Sequence, residues 1–556
     1  MAPAITPKRY TISPWIFFAV LFGIVIWKLV EYHCFPDPLV LSRSRSQYWG
    51  RASVGSSRGV IRDSLGNDLA HSVTTSSFFI DPMHWSPSDA PALRGLVPDA
   101  VVEQISHVLK GRYVRVARKV SPDLAQKILT LKLKGLYEEK EKKREYPHGA
   151  LLSHVLGFCD ADGAGLSGLE LAWDSTLYEP PGYRILSRHA RGRALNGQRD
   201  GSLAAVTLTI DIRIQYILEK RLNEAAVQHK AKWGAALCLD PNTGALLAMA
   251  SWPFFNPSNR DELDSSSIVN NTVGRAYEPG STFKPIFMGI ALESGLVRAN
   301  ETFNCPARLK VADGFITEAY KRAMGTLSTA EILVKSSNVG MAQIGVRSTP
   351  LDMYRTLLTW GFGKASDVEL GKTEKGLLAS PGQWRGVMPA NVSIGQGIAV
   401  TPLQLAMGMT AVVNGGKLLS PYLVREAVDP AGEVVYRGSR HAAREVLTPA
   451  TCRWLRTVMR ESVAVGTGWR AETPVTRLAG KTGTAQVAEK GKYVEGRYVS
   501  SFLGFWPYEN PRYLLLFVLG EPSAGQYYGG EVAAPVVKKI VEDMAELKIF
   551  GSEAIL

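Results

Sequence analysis

The sequence predicts an α+β multidomain protein: a single transmembrane helix, a mixed α/β pedestal, and a large domain with a central antiparallel sheet flanked by helices. Three observations predict it. The chain has 556 residues, too many for one core at roughly 100–200 residues per domain. One apolar run lies near the N-terminus. Strand-like segments then bracket a long block of helical periodicity, the pattern of a sheet packed with helices.

The anchor is the apolar run. Pro14 to Val30 carries Lys28 as its only charge, near the lower length limit for a hydrocarbon core of about 30 Å. Trp15 and Trp27 sit near its ends, where indoles prefer the interface, and Lys28 can snorkel outward. No A-x-A site follows, and Glu-Tyr-His before Cys34 is not a lipoprotein pattern. Residues 13–30 are therefore expected to form an uncleaved anchor behind a cytoplasmic tail of residues 1–12. Lys8 and Arg9 before the run and Arg43 and Arg45 after it give the orientation only a weak vote for N-terminus in.

Residues 31–203 read as a mixed α/β region, the pedestal beneath the larger domain. Gly66-Asn67 reads as a turn between two short strands, and Pro122 to Lys142 reads as a helix, with Leu124, Ile128, Leu131 and Leu136 among charges. Asn196 to Ser202 is polar and reads as a linker. Residues 204–550 form the larger domain. Thr207–Asp211 is strand-like and Ile212–His229 an amphipathic helix. Ala235–Asp240 and Ala245–Ser251 flank a Pro241-Asn-Thr-Gly244 turn. Helical patterns dominate residues 281–415, strands return at 478–488, 500–506 and 512–520, and Ala533–Leu547 closes the chain as a helix.

Composition is that of a globular chain, 46% hydrophobic and 21% charged, with a net charge of +13. A basic balance suits nucleic acid or an anionic envelope surface. The stretch Lys132–Arg144 alternates with Glu138, Glu139 and Glu141 as a solvated helix does, without the interleaved aromatics of a stacking platform, so no nucleic acid is expected. Cys34, Cys159, Cys238, Cys305 and Cys452 include no C-x-x-C pair. They read mostly as small buried hydrophobes, with a bridge such as Cys159–Cys305 left open.

Three short motifs carry chemistry. In Ser281-Thr-Phe-Lys284, Gly280 supplies a tight turn and Ser281 opens an apolar helix. A spacing of three puts Ser281 and Lys284 on one face. A desolvated lysine can accept the serine proton, and the free N–H groups of a helix N-terminus suit an oxyanion. Ser336-Ser337-Asn338 follows a helix opened by the capping box Ser328–Glu331. Its hydroxyl and amide, two apart on a loop, can relay a proton and hold a substrate amide. Lys481-Thr482-Gly483-Thr484 lies in an apolar strand, where a glycine signals close approach of a ligand or backbone. Lys481 reads as a fixed positive charge, and Thr482 and Thr484 as hydroxyls for a carboxylate. Alone, each is weak; S-x-x-K turns up about once or twice by chance at this length. Each occurs once, in this order, 55 and 200 residues apart (336 − 281 and 481 − 281).

Together the three are similar to the active-site set of the penicillin-recognising serine enzymes. The resemblance extends along the chain. Arg58–Ala70 resembles the R-G-x-I-x-D-R-x-G-x-x-L-A signature of class B (monofunctional) penicillin-binding proteins, with Ser64 where arginine is usual. Gly168-Leu-Glu170, Leu239–Gly244, Asn270–Arg275, Ser393–Gly397 with Thr401–Gln404, and Tyr527–Ala533 match that family too, and Ala276–Gly280 and the modest length resemble its cell-division, FtsI-like subgroup.

The resemblance implies a serine-type D,D-transpeptidase that crosslinks peptidoglycan stem peptides ending in D-Ala-D-Ala during septal wall synthesis and is acylated by β-lactams. Ser281 would be the nucleophile, Lys284 its general base, Ser336 the proton relay and Asn338 the substrate-amide ligand. Lys481, Thr482, Gly483 and Thr484 would receive the terminal carboxylate. The backbone N–H groups of Ser281 and Thr484 would form the oxyanion hole. It implies no cofactor or metal, a catalytic domain outside the inner membrane, and a SEDS-family glycosyltransferase and other division proteins as partners. Arg58, Asp63 and Glu170 would be structural. Elongation- and sporulation-type relatives are the alternatives. A β-lactamase-like hydrolase is disfavoured, since its Glu-x-x-Leu-Asn string occurs only as Glu219–Asn223, before Ser281. An inactive division scaffold is disfavoured by the intact Ser281 and Lys284.

Overall fold

The computed structural model describes residues 14–34, 49–54, 57–107, 114–179, 182–187, 194–195, 203–259, 263–264, 266–438, 444–489 and 491–550. Lys8, Arg9, Arg43, Arg45 and the linker expected at Asn196–Ser202 lie outside them. The chain divides into two compact units. The first, residues 1–56 and 180–200, holds helix α1 (Pro14–Cys34) and a small antiparallel sheet of Trp49–Val54, Gly182–Ser187 and Ala194–Leu195. The side chains of α1 are described from Ile16 to Glu31, and its apolar ones are exposed. Among the described residues no helix is long and apolar enough to cross a membrane.

The second unit contains everything from Ser57 onward except residues 180–200. Its pedestal part carries strands β1 (Ile61–Arg62), β2 (Asp68–Ile80), β3 (Val114–Val120) and β4 (Leu136–Glu145), with helix α2 (Pro122–Thr130). The later part carries β5 (Ala205–Leu208), β6 (Trp233–Leu239), β7 (Leu246–Trp252), β8 (Val424–Val428), β9 (Val434–Arg437), β10 (Ala479–Glu489), β11 (Lys492–Trp506) and β12 (Tyr513–Gly520). Its main helices are α3 (Ile212–Gln228), α4 (Lys284–Glu293), α5 (Thr329–Val334), α6 (Asn338–Gly345), α7 (Pro402–Val413), α8 (Pro449–Ala464) and α9 (Ala534–Glu546).

The central sheet runs β7-β6-β12-β11-β10, antiparallel throughout. Its strands are almost continuously apolar because both faces are covered, and the two-residue period sorts the side chains. Ala236, Cys238, Phe502, Leu515 and Phe517 face one core with α3 and α9. Leu237, Leu239, Leu503, Leu514 and Leu516 face the other, with α4 and α7.

A second, mixed sheet joins the pedestal to the larger domain in the order β9-β8-β5-β1-β2-β3, with β4 added on β2. β5 pairs with β1 in parallel through Val206↔Ile61 and with β8 antiparallel through Ala205↔Val428. Beside it Glu170, fully buried, pairs with both Arg58 and Arg144 (the latter at 2.7 Å), and Asp174 takes Arg58 at 2.6 Å. Asp63 Oδ1 accepts from the Leu65 and Asn67 amides, closing the Gly66-Asn67 turn, and its Oδ2 accepts from the Ile212 amide at the start of α3. All three signature residues are thus bound up in framework contacts.

Several sequence expectations change. Pro122–Lys142 is not one helix: α2 stops at Thr130, Lys132 takes a left-handed φ of 47°, and residues 136–145 become β4. The helix-favouring Glu/Lys composition is overridden by ten paired positions with β2, from His71↔Glu145 to Ile80↔Leu136, the usual outcome when tertiary pairing opposes weak propensity. The block 281–415 also contains short antiparallel strand pairs: the hairpin Arg308–Val311 with Gly314–Thr317, enclosed by the pair Thr302–Cys305 with Gly325–Ser328, and the pair Leu377–Leu378 with Ile398–Ala399. β11 begins at Lys492, eight residues before the expected start (500 − 492), extending a hairpin with β10. Cys159, Cys238, Cys305 and Cys452 are all buried, and Cys305 is a free thiol, so the Cys159–Cys305 bridge does not form.

Candidate active site

All three motifs meet on one side of β10, around a cleft of about 450 Å³ lined by Ser281, Ser336, Asn338, Thr482 and Thr484. Ser281 lies in a 3₁₀ turn, Gly280–Thr282, that feeds into α4 at Lys284. The helix proper therefore starts three residues later than expected. Gly280 has a φ of 54°, and a Cβ there would sit 3.0 Å from Thr484 O. The Ser393–Gly397 segment braces this turn: the Gly280 amide donates to Gly395 O (3.0 Å) and the Gly397 amide to Glu278 Oε1 (2.9 Å). Glu278 also accepts from Tyr493 Oη at 3.1 Å, and burial raises its pKa.

Lys284 is fully buried beneath the cleft floor. Its Nζ donates to Ser336 O (2.7 Å) and Asn338 Oδ1 (2.8 Å) and lies 3.4 Å from Ser336 Oγ. Lys481, equally buried, donates from Nζ to Ser336 Oγ at 2.9 Å. One serine meets both lysines because Ser336 adopts a left-handed φ of 61°, a conformation costing a non-glycine residue on the order of 1 kcal/mol or more. Burial pushes the Lys284 pKa down to about 7, against a raising influence from Glu318. Burial, then the neighbouring Lys284, hold Lys481 well below the usual lysine range. A substrate carboxylate brought against Lys481 would favour its protonated form.

Glu318 is the residue that sequence reasoning missed. It is 1% exposed and its carboxylate accepts from the Asn338 amide (2.8 Å), the Val339 amide (3.2 Å) and Ser337 Oγ, so it caps α6 and fixes the second motif. Ser337 in turn accepts from the Gly340 amide at 2.9 Å. A carboxylate at a helix N-terminus is stabilising, but nothing in Gly314–Thr317, the strand before it, announces that contact. Asn338, the first residue of α6 rather than a loop residue, donates from Nδ2 to Thr317 O at 3.1 Å.

On the third motif, Thr482 Oγ1 lies 2.9 Å from Thr467 Oγ1, and Thr484 Oγ1 accepts from the Gly529 amide at 2.9 Å. A Cβ on Gly483 would meet Ser501 Oγ at 2.3 Å, Thr282 Cγ2 at 2.8 Å and Pro279 O at 3.2 Å. The glycine lets the serine turn lie directly on the strand. Glu219 is elsewhere, buried on α3 and accepting from the Leu152 amide and Gln215 Nε2, both at 2.8 Å. Among the described residues no cluster of His, Cys, Asp and Glu could hold a metal ion.

A hydroxyl at a turn, a buried lysine poised near neutrality, a bridging serine and a buried second lysine make an acyl-transfer site, and the two-domain fold is that of the penicillin-binding transpeptidases. Residues 234–542 match the penicillin binding protein transpeptidase domain and residues 53–202 the penicillin-binding protein dimerisation domain. The chain belongs to this family, in its class B branch. It is 34% identical over 546 residues to the peptidoglycan D,D-transpeptidase FtsI of Escherichia coli (strain K12), covering 94% of this chain and 88% of that protein. It is 31% identical over 556 residues to the stage V sporulation protein D of Bacillus subtilis (strain 168), covering 96% and 86%. Among solved structures it is similar to penicillin binding protein 3 of Mycobacterium tuberculosis complexed with aztreonam, with a TM-score of 0.70, 26% identity, and coverage of 91% of this chain and 99% of that one.

Proposed function

We propose that this chain is a peptidoglycan D,D-transpeptidase of septal wall synthesis, acting through an acyl-enzyme on Ser281. Neutral Lys284 takes the Ser281 proton as Oγ attacks the penultimate D-Ala carbonyl of a donor stem peptide. The oxyanion faces the Ser281 and Thr484 backbone N–H groups, where losing one donor typically costs on the order of 100-fold or more. The C–N bond breaks, and the departing D-alanine amine receives a proton through Ser336. An amine of a second stem peptide then attacks the ester, takes the acyl group and frees Ser281. Asn338 holds the donor amide, and Lys481, Thr482, Gly483 and Thr484 hold its terminal carboxylate. β-Lactams acylate the same serine.

The observation that carries the reading is the fully buried Lys284, with a pKa near 7, contacting both Ser336 and Asn338 beneath the Ser281 turn. Residues 13–30 anchor the chain in the inner membrane, with residues 1–12 cytoplasmic. Outside it, the pedestal (31–203) and the transpeptidase domain (204–550) work beside a SEDS-family glycosyltransferase and other division proteins. Wild-type membranes labelled with a fluorescent penicillin should show the band, and S281A should lose it; a covalently labelled S281A overturns the assignment. A fluorescent fusion should gather at midcell, and a lateral or forespore pattern would reassign it to elongation or sporulation.

A further inference from the structure

Above the polar floor of the cleft, one wall is formed by a 3₁₀ turn, Trp469–Ala471, that the proposed chemistry does not use. Trp469 is 58% exposed, unusual for an indole with a core available to it. The Arg470 guanidinium lies over its ring, 4.8 Å from the centroid, a cation–π contact that restrains an otherwise mobile side chain. The turn is tied to the catalytic strand. Thr467, two residues before Trp469, meets Thr482 hydroxyl to hydroxyl at 2.9 Å, and the Gly468 amide donates to Ser462 O at the end of α8 at 2.9 Å.

Two neighbouring charges of the cleft region are committed elsewhere. Glu472 pairs with Arg460, and Lys335 on the cleft wall pairs with Glu331 at 3.0 Å. Glu531 also lines the cleft. Among the described residues no carboxylate is within ion-pair distance of Arg470. A preorganised guanidinium on the wall of the acyl-donor cleft, paired with no carboxylate and beside an exposed aromatic face, is built for a planar anion borne on an aliphatic chain. The terminal carboxylate of the donor is already assigned to Lys481 and the two threonines, so the anion must be another one.

We propose that Arg470, seated on Trp469, binds a side-chain carboxylate of the donor stem peptide, making this turn a specificity subsite for stem peptides whose third residue is an acidic diamino acid. This rests on the transpeptidase reading above. The probes are two donors, diacetyl-meso-diaminopimeloyl-D-Ala-D-Ala with its side-chain carboxylate free or as the primary amide, scored by D-alanine release. Wild type should favour the free carboxylate about 10-fold in kcat/KM, the worth of one charge-assisted hydrogen bond. In R470Q the ratio should fall to about one, and R470K should keep part of it. A wild type that does not discriminate overturns the subsite, whether or not the variants fold; so does a ratio that survives in R470Q. Penicillin labelling of Ser281 separates the two claims: labelling without discrimination sinks only the subsite, and no acylation by penicillin or either donor sinks the transpeptidase reading.

Discussion

If Lys284 activates Ser281 as proposed, Glu318 should set the pH at which it does so, and Glu318→Gln tests this. Its carboxylate contacts the Asn338 amide while Lys284 contacts the Asn338 side chain, so the two charges are separated by a single residue. It is the influence that keeps the Lys284 pKa from falling below about 7. An opposite charge this near typically moves a pKa by about 1–3 units; acting through an intervening residue, the low end, roughly 1 unit or 1.4 kcal/mol, applies. The base must be neutral to act, so acylation should rise with pH through about 7 in the wild type. In the variant that limb should move to lower pH by roughly 1 unit. The plateau rate should also drop, since the amide cannot accept all three donors. The assay is stopped-flow acylation by a fluorescent penicillin between pH 5 and 9. A limb that stays put or moves upward would refute the coupling, and a wild-type rate flat across this range would refute Lys284 as base.

Other outcomes follow from the same geometry. Glu170→Gln strands two buried guanidinium groups and should cost about 3–5 kcal/mol, read as a lowered denaturation midpoint, while the penicillin acylation rate of the folded fraction stays as in wild type; a slowed rate would mean that Glu170 does more than hold the frame. Gly483→Ala forces the Pro279–Thr282 turn off the strand, and displacements near 1 Å can cost about 100-fold in rate; unchanged acylation would show that the close approach is dispensable. Glu219 is pushed up to about 7 by burial. Between about pH 4.5 and 7 the folded state keeps a proton that the unfolded state has lost, so stability should fall as pH rises, by about 3 kcal/mol in all. Glu219→Gln should flatten that slope in denaturation curves taken at pH 5 and pH 8; an equal slope in both proteins would assign it to other groups.

The parts of the site that sequence made legible are those whose residue types are chemically constrained. Ser281, Lys284, Ser336, Asn338 and Lys481 stand out because an apolar helix or strand seldom carries such groups in such an order. Their division into a lined cleft and two lysines beneath it was not legible, because burial depends on what packs above. Glu318 was invisible for the same reason: its partners lie about twenty residues on, and an acid after a short strand looks like any surface acid. The fold followed similar lines. The hairpin around Pro241–Gly244 and the strands of the central sheet have local signals, whereas β4 spells a helix and becomes a strand only because β2 lies beside it. The left-handed Ser336 leaves no trace in composition.

The strand β5 is hydrogen-bonded on one edge to pedestal β1 and on the other to β8. The two parts of the larger unit are therefore welded by a peptide ladder rather than strung on a swivel. A load on the pedestal cannot be dissipated by rotation about a tether; it must shear interstrand bonds or pass on into Val424–Val428. Whatever grips the pedestal thus has a stiff lever into the catalytic body. A fragment cut on either side of β5 would bare a raw edge open to mispairing. The second unit should accordingly fold, and fail, as one piece.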